Sequence, residues 1–147
     1  FRVTFSLDQA ATFKDRFFET YEGVRTWQMS MEQHMPLQVR TVGGRLRRFP
    51  NRTEGYTKRL AMRVQGTAAD AMKQALLQLS PVLSKFNAKL VLVIHDEVLI
   101  ECPRAAAREL MEVAEACLQV GMSAYVKRVP VQVSKSIRSS WAKEASS

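Results

Sequence analysis

The sequence predicts an α+β fold, in which antiparallel strands are backed by helices. Two observations favour this class. Apolar residues recur at helical spacing in several segments, and capping residues, glycine or proline bound these segments. Two other segments are typical of antiparallel hairpins, one around Gly43-Gly44 and one around His95-Asp96-Glu97.

The first half of the chain predicts two helices and a hairpin. Ser6-Leu7-Asp8-Gln9 has the form of a capping box, so a helix should begin there and stop near Glu22-Gly23. A second helix is expected from Val24 to about Met35, before Pro36. Residues 37–49 are strand-like on both sides of Gly43-Gly44, and residues 50–55 form a loop.

A helical pattern resumes at Tyr56. Gly66 should break it, Thr67 should cap the next helix, and Pro81 should end or kink that helix. An apolar stripe on this helix predicts its inward face: Ala68, Ala71, Met72, Ala75, Leu76 and Leu79.

The second half predicts a hairpin, a helix and a closing strand. The aliphatic run Leu90–Ile94 indicates a buried strand, and Val98–Ile100 continues it after the turn. Pro103 suits the first turn of a helix that runs to about Tyr125. The alternation in Val131–Val133 predicts a last strand. The inward residues of the helix should be Leu110, Val113, Cys117 and Val120, and the aromatic residues Phe17, Phe18, Trp27 and Trp141 are expected in the core.

Composition limits the class of protein. The 147 residues fit one domain or a large part of one, and 46% of them are apolar, which is enough for a core. No apolar run approaches the ~18 residues that span a bilayer, so no membrane partner is expected. The sequence opens at Phe1 in mid-pattern, which we interpret as a truncation. Cys102 and Cys117 are isolated thiols without metal spacing, and a reducing compartment explains them most simply.

The charge favours a polyanionic partner. Twenty-two Lys and Arg residues against 14 Asp and Glu give a net charge of +8. Arg45, Arg47, Arg48 and Arg52 cluster around the Gly-Gly turn, and Lys58, Arg59 and Arg63 follow them. Such a cluster suits a phosphate backbone, although a solvated basic loop has the same composition.

The His95-Asp96-Glu97 tripeptide carries the strongest chemical signal. Three ionisable residues at a tight turn after an aliphatic strand face either water or a ligand. Adjacent carboxylates on an extended backbone point to opposite sides, so a divalent ion would need another carboxylate from elsewhere. An ordinary solvated hairpin tip remains the alternative.

Taken together, several segments resemble the family A DNA polymerases, in the family's order. The most specific are Gln65 to Asp70, which reads QGTAAD, and His95-Asp96-Glu97 about 25 residues later, which matches the family's motif C. Other matching segments are Phe17–Val24, Gly44–Pro50, Val129–Val133 and Trp141. The resemblance implies an antiparallel palm sheet with the motif C hairpin, residues 1–64 at the end of the fingers and 65–147 in the palm.

The resemblance implies roles for individual residues. Asp96 would bind the two Mg²⁺ ions of nucleotidyl transfer, and Glu97 would support that catalytic site. His95 and Gln65 would lie near the primer terminus and the insertion site, in contact with DNA. Arg45, Arg47, Arg48 and Arg63 would contact phosphates. The implied partners are primer-template DNA, dNTP and the rest of the polymerase chain, in the cytoplasm of a bacterial or phage-infected cell or in an organelle.

Two departures from the family pattern stand out. Relatives commonly have Asn and Pro where this chain has Ala61 and Arg63. Motif A, with the first catalytic carboxylate, and the nucleotide-binding helix do not occur in the sequence. We therefore expect the parent protein to synthesise DNA and this fragment alone to be inactive. A non-catalytic nucleic-acid-binding module is the alternative, and a metal hydrolase built on His95, Asp96 and Glu97 is a third hypothesis.

Overall fold

A computed structural model describes residues 4–141, which divide into two compact units. The first contains residues 4–40 and 46–64, and the second contains residues 41–45 and 65–141. Each unit combines helix with a two-stranded antiparallel sheet, so the predicted α+β class is confirmed. The assignment of residues 1–64 to fingers and 65–147 to palm stays a prediction.

The first unit opens with two helices whose ends follow local signals. Helix α1 spans Leu7–Thr20, and both hydrogen bonds of the predicted capping box are present at Ser6 and Gln9. Helix α2 spans Glu22–His34. Met35 caps its C-terminal end with a φ of 36°, and Pro36 follows. Helix α1 ends two residues before the predicted stop at Glu22-Gly23, and α2 begins at Glu22 rather than Val24, so Gly23 lies inside α2.

The predicted basic hairpin is present in the first unit. Strand β1 (Gln38–Arg40) pairs antiparallel with β2 (Leu46–Arg48), and Val39 lies opposite Arg47. Val39 is buried with Phe49 and Met62 in the small core of this unit. The arginine-rich strand therefore exposes its charges while its neighbour anchors the hairpin.

Helix α3 spans Tyr56–Lys85 without interruption, so the predicted boundaries at Gly66 and Thr67 and the predicted end at Pro81 are wrong. Gly66 does not break the helix, and Thr67 does not cap one, because the Thr67 hydroxyl accepts a hydrogen bond from Val42 instead. Pro81 lies inside the final turns and does not end the helix. A mid-helix glycine costs only ~1 kcal/mol relative to alanine, which burial of the helix's apolar face offsets. Of the predicted stripe, Ala71, Met72, Ala75 and Leu79 are buried, whereas Ala68 is exposed.

The second unit is completed by a hairpin and a helix. Strand β3 (Lys89–Ile94) pairs antiparallel with β4 (Glu97–Glu101). A short 3₁₀ turn at Arg104–Ala106 follows Pro103, and helix α4 spans Ala107–Ser123. The core joins α3 to α4 and packs against the inner side of β4, through Leu79, Leu83, Leu110 and Ala114 with Val98 and Ile100 at its edge.

The structure corrects several burial predictions in the second unit. Strand β3 is exposed along its whole length, because β4 is its only paired strand among the described residues. On α4, Val120 is 65% exposed and Gly121 takes the inward position. Residues 131–133 form no strand. Trp141 is 57% exposed rather than part of the core.

The remaining outcomes concern Phe17, the cysteines, membrane spans and the segment after α4. Phe17 is also exposed, although its ring contacts Phe18 and Tyr21. Both cysteine thiols are free. None of the helices within residues 4–141 is long and apolar enough to cross a bilayer. The extended segment after α4 is tied back to that helix by Lys135, which forms ion pairs with Glu112 and Glu115.

Candidate active-site hairpin and nucleic-acid interface

The β3–β4 hairpin has a two-residue turn formed by His95 and Asp96. Ile94 pairs with Glu97 across the turn, so Glu97 is the first residue of β4 and not part of the tip itself. His95 has a φ of 53°, which is the left-handed region that non-glycine residues rarely occupy. A residue held there costs about 1–3 kcal/mol, and such residues cluster at functional sites.

A β-bulge lies near the other end of the same hairpin. The pairing register shifts between Leu90 and Leu92, so Val91 is an extra residue on β3. Bulges bend a strand, increase its twist and often lie next to active sites, where they redirect side chains. The bulge and the two-residue turn together fix where the hairpin presents Asp96.

The three ionisable residues of the hairpin are all exposed. Asp96 offers carboxylate oxygens, which are the ligands that Mg²⁺ prefers. No group of three or more His, Cys, Asp or Glu side chains in the described part of the chain is arranged to hold a metal. Asp96 therefore fits as one ligand of a divalent ion, and the rest of the ligand set is not found among these residues.

Glu97 lies in a distinct environment beside an aromatic residue. Its side chain shares a shallow cleft with Leu92, Ile94, Leu99 and Trp141. Because alternate residues of a strand share a face, these side chains mark one face of the hairpin. The sequence predicted Trp141 in the core and gave no sign that it adjoins Glu97, since 44 residues separate them.

The QGTAAD segment lies on α3 and holds the turn of the basic hairpin. Arg45 Nε donates to Asp70 Oδ1 at 2.7 Å, and Arg45 Nη2 donates to the Gly66 carbonyl at 2.9 Å. The Val42 amide donates to Thr67 Oγ1 at 3.1 Å. We call residues 41–45, held in this way, the clamped turn.

The carboxylate of Asp70 is nearly buried. Its side chain is only 11% exposed, and Oδ2 is buried without a hydrogen-bond partner among the described residues. The Thr41 hydroxyl accepts from the Arg45 amide at 3.0 Å, which leaves the hydroxyl hydrogen available to the carboxylate. Thr41 first, and then Arg45 and Lys73, hold the pKa of Asp70 below its ordinary value, although burial opposes them. Asp70 is therefore a stable anion at neutral pH.

The remaining predicted contacts to DNA are exposed. Arg47 and Arg48 lie on β2, and the Arg47 guanidinium lies 5.3 Å from the centre of the Phe49 ring. Gln65 is exposed on α3. Arg63 donates to the Arg40 carbonyl at 3.4 Å and lines a cleft of about 160 Å³. That cleft is also lined by Trp27, Ser30, Met31, His34 and Pro36.

Arg59 does not belong to the basic surface that the sequence suggested. It is fully buried and donates to the backbone carbonyls of Pro36, Asn51 and Glu54. Its guanidinium also lies 4.1 Å from the centre of the Phe49 ring. Arg59 therefore joins the 50–55 loop to the start of α3, a role that no local sequence signal indicates.

Comparisons with known proteins identify the family of this chain. The sequence profile of DNA polymerase family A matches residues 2–143. DNA polymerase I of Aquifex aeolicus is 31% identical over 146 residues, covering 97% of this chain and 25% of that protein. The thermostable DNA polymerase I of Thermus caldophilus is 33% identical over 144 residues, covering 91% of this chain and 17% of that protein.

A solved structure supports the fold independently. The POL domain of Pol1 from M. smegmatis, in complex with DNA primer-template and dNTP, superposes with a TM-score of 0.71 at 22% identity. The superposition covers 79% of this chain and 23% of that one. This chain therefore spans about a quarter or less of the proteins it matches. On the match to its profile over nearly the whole sequence, the chain belongs to DNA polymerase family A.

Proposed function

We propose that this chain supplies the carboxylate of Asp96 to the active site of a DNA polymerase. The single observation that carries the proposal is the hairpin tip, where a left-handed His95 and a two-residue turn present Asp96 to solvent. The reaction would be attack of a primer 3′ hydroxyl on the α-phosphate of a dNTP, with release of pyrophosphate. Family membership supports this chemistry.

His95, Asp96 and Glu97 would each take a different part in that reaction. Asp96 holds a carboxylate against the reacting groups, and Glu97 adds negative charge on the adjoining face. His95 lies at the primer terminus. Divalent ions, when bound, lower the pKa of the 3′ hydroxyl and stabilise the leaving pyrophosphate. Since Asp96 is one ligand only, a carboxylate from another part of the parent chain completes the set.

Exposed arginines in each unit would bind phosphates of the primer-template. Arg47 and Arg48 are exposed on β2, and Arg45 has part of its guanidinium in solvent. Arginine binds phosphate through paired N–H donors, which fixes the position of the backbone without reading its sequence. Gln65 and Arg63 would contact DNA near the insertion site. Binding should accordingly weaken steeply as salt rises.

A non-catalytic nucleic-acid-binding module is the second candidate. The exposed arginines of β2 favour it, since they suffice to bind DNA without any contribution from Asp96. The two functions differ in what they require of the hairpin tip. A polymerase requires Asp96, whereas a binding module should tolerate its loss and gain slightly from removal of a negative charge.

Primer extension by the complete polymerase that carries this chain tests the proposal. The Asp96→Ala variant should lose at least about a hundredfold in extension rate, because several kcal/mol of transition-state stabilisation depend on the bound ions. Its affinity for primer-template should change little. The Asp15→Ala control removes an equal charge from the exposed face of α1 and should extend primers normally. Full activity of the Asp96→Ala variant would refute the catalytic role.

The purified 147-residue chain, without the rest of the polymerase, provides a second test. We expect no Mg²⁺-dependent extension from it, because its described residues offer no complete metal-ligand group. Extension by the purified chain would contradict this prediction. Salt-sensitive DNA binding by the same preparation would support the role of the exposed arginines, and hydrolysis of phosphodiesters would favour a metal hydrolase instead.

A further inference from the structure

The clamped turn places Arg45 between the protein and the solvent. A guanidinium has five N–H donors. Two of them are used, one at Asp70 and one at Gly66. The other three make no hydrogen bond to residues 4–141, and the Arg45 side chain is 45% exposed. One edge of the Arg45 guanidinium is thus bound to Asp70 and Gly66, and the other edge is available to a ligand.

The turn itself is fixed at more than one point. The Thr41 amide donates to the Arg45 carbonyl at 3.0 Å, and the Val42 amide donates to Thr67. A Cβ added at Gly43 would lie 3.1 Å from Asp70 Oδ2 and 2.8 Å from Tyr125 Cε1. The turn therefore lies directly against the Asp70 carboxylate, with no space for a side chain between them.

We propose that Asp70 is a positioning residue, which orients the Arg45 guanidinium so that its free edge binds a phosphate of the primer-template. The proposal rests on the DNA-binding function proposed above. Ordering a long side chain in advance removes an entropic cost from binding. Asp70 acts through Arg45 and does not touch DNA itself, since its side chain is almost fully covered.

The direction in which Asp70→Asn changes the affinity for DNA separates a positioning role from an effect of charge alone. Asp70→Asn removes a negative charge, so electrostatics alone would strengthen the binding of DNA. Loss of orientation would weaken it, by about three- to tenfold for one immobilised side chain. It would also lower the slope of log affinity against log salt by about one, because one phosphate contact is lost.

The experiment measures the affinity of the full chain for a short primer-template duplex at several salt concentrations. Asp70→Asn, Arg45→Lys and Gly43→Ala should each weaken binding and reduce the salt slope by about one. Gly43→Ala matters because its methyl group would crowd Asp70 Oδ2 and the Tyr125 ring, which forces the turn and these side chains apart without changing any charge. Glu109→Gln, on an exposed part of α4, matches the charge change of Asp70→Asn and should leave the slope unaltered.

The outcomes distinguish a failure of the proposed DNA-binding function from a failure of the positioning role of Asp70. Absence of salt-dependent binding by the unaltered chain would overturn the DNA-binding function and this proposal with it. If the unaltered chain binds, but Asp70→Asn binds as tightly or more tightly with the same slope, only the positioning role is refuted. Thermal unfolding of each variant shows whether it folds. Arg45→Lys keeps the positive charge at this position and serves as the second test if Asp70→Asn does not fold.

Discussion

The contact between α3 and α4 depends on Gly121. A Cβ built at this position would lie 2.2 Å from the Ala75 Cα, 2.5 Å from its backbone nitrogen and 2.8 Å from its Cβ. Carbon atoms in contact normally lie about 3.5–4.0 Å apart. Because the obstacle is backbone, no side-chain rotation relieves it, and Gly121→Ala must push the two helices apart by about 1 Å or more.

The cost of that displacement falls on the core of the second unit. Overpacking costs roughly 1–3 kcal/mol, and a backbone clash belongs at the upper end of this range. Replacing a helical glycine by alanine returns up to ~1 kcal/mol through helix propensity. The net loss should be about 2 kcal/mol, which corresponds to a fall of about 4–8 °C in Tm for a chain of this size.

Thermal unfolding followed by circular dichroism measures this shift, and Gly23→Ala provides the matched control. Gly23 also lies in a helix, but a Cβ there meets nothing within 4 Å. That substitution should stabilise the chain by about 0.4–1 kcal/mol. An unchanged or raised Tm for Gly121→Ala would refute the close approach of α3 and α4.

Three further predictions concern charged groups. Arg59→Lys cannot satisfy the carbonyls that the buried guanidinium reaches, so it should cost at least about 2 kcal/mol, whereas Arg52→Lys at the surface should cost little in the same urea titration. Because the folded-state pKa of Asp70 lies below its unfolded value, its stabilisation is present at neutral pH and disappears as the pH falls through the folded pKa. Asp70→Asn should therefore be less stable than the unaltered chain at pH 7, and the two chains should converge on acidification. Glu112 first, and then Glu115, raise the pKa of Lys135, so this tether holds at neutral pH and is lost only as the pH rises through that raised pKa. Lys135→Gln should accelerate amide exchange in residues 126–138 and leave α3 unaffected.

Signals between residues close in the sequence predicted most of the elements, although Gly66 and Thr67 are not helix boundaries and residues 131–133 form no strand. The capping box at Ser6 and the His95-Asp96 turn each depend on groups within a few residues of one another. Such groups meet whatever the rest of the chain does. The family motifs were equally local, and they pointed to the family that the comparisons confirm.

Contacts between distant residues explain what the sequence could not predict. Thr67 was expected to cap a helix, but its hydroxyl binds Val42, 25 residues away. The partnership of Arg45 with Asp70 has the same separation. Strand β3 has the composition of a buried strand, yet no described element covers it. Burial of this kind depends on neighbours that a local pattern does not identify.

The binding of Mn²⁺ to the complete polymerase with primer-template and dNTP tests most directly whether Asp96 supplies a metal-binding carboxylate. Electron paramagnetic resonance counts the bound ions by loss of the free-ion signal. If Asp96 is a metal ligand, Asp96→Asn should lower the number or affinity of bound ions, while Asp15→Asn should leave both unchanged. Equal stoichiometry and affinity in the Asp96→Asn variant would contradict it.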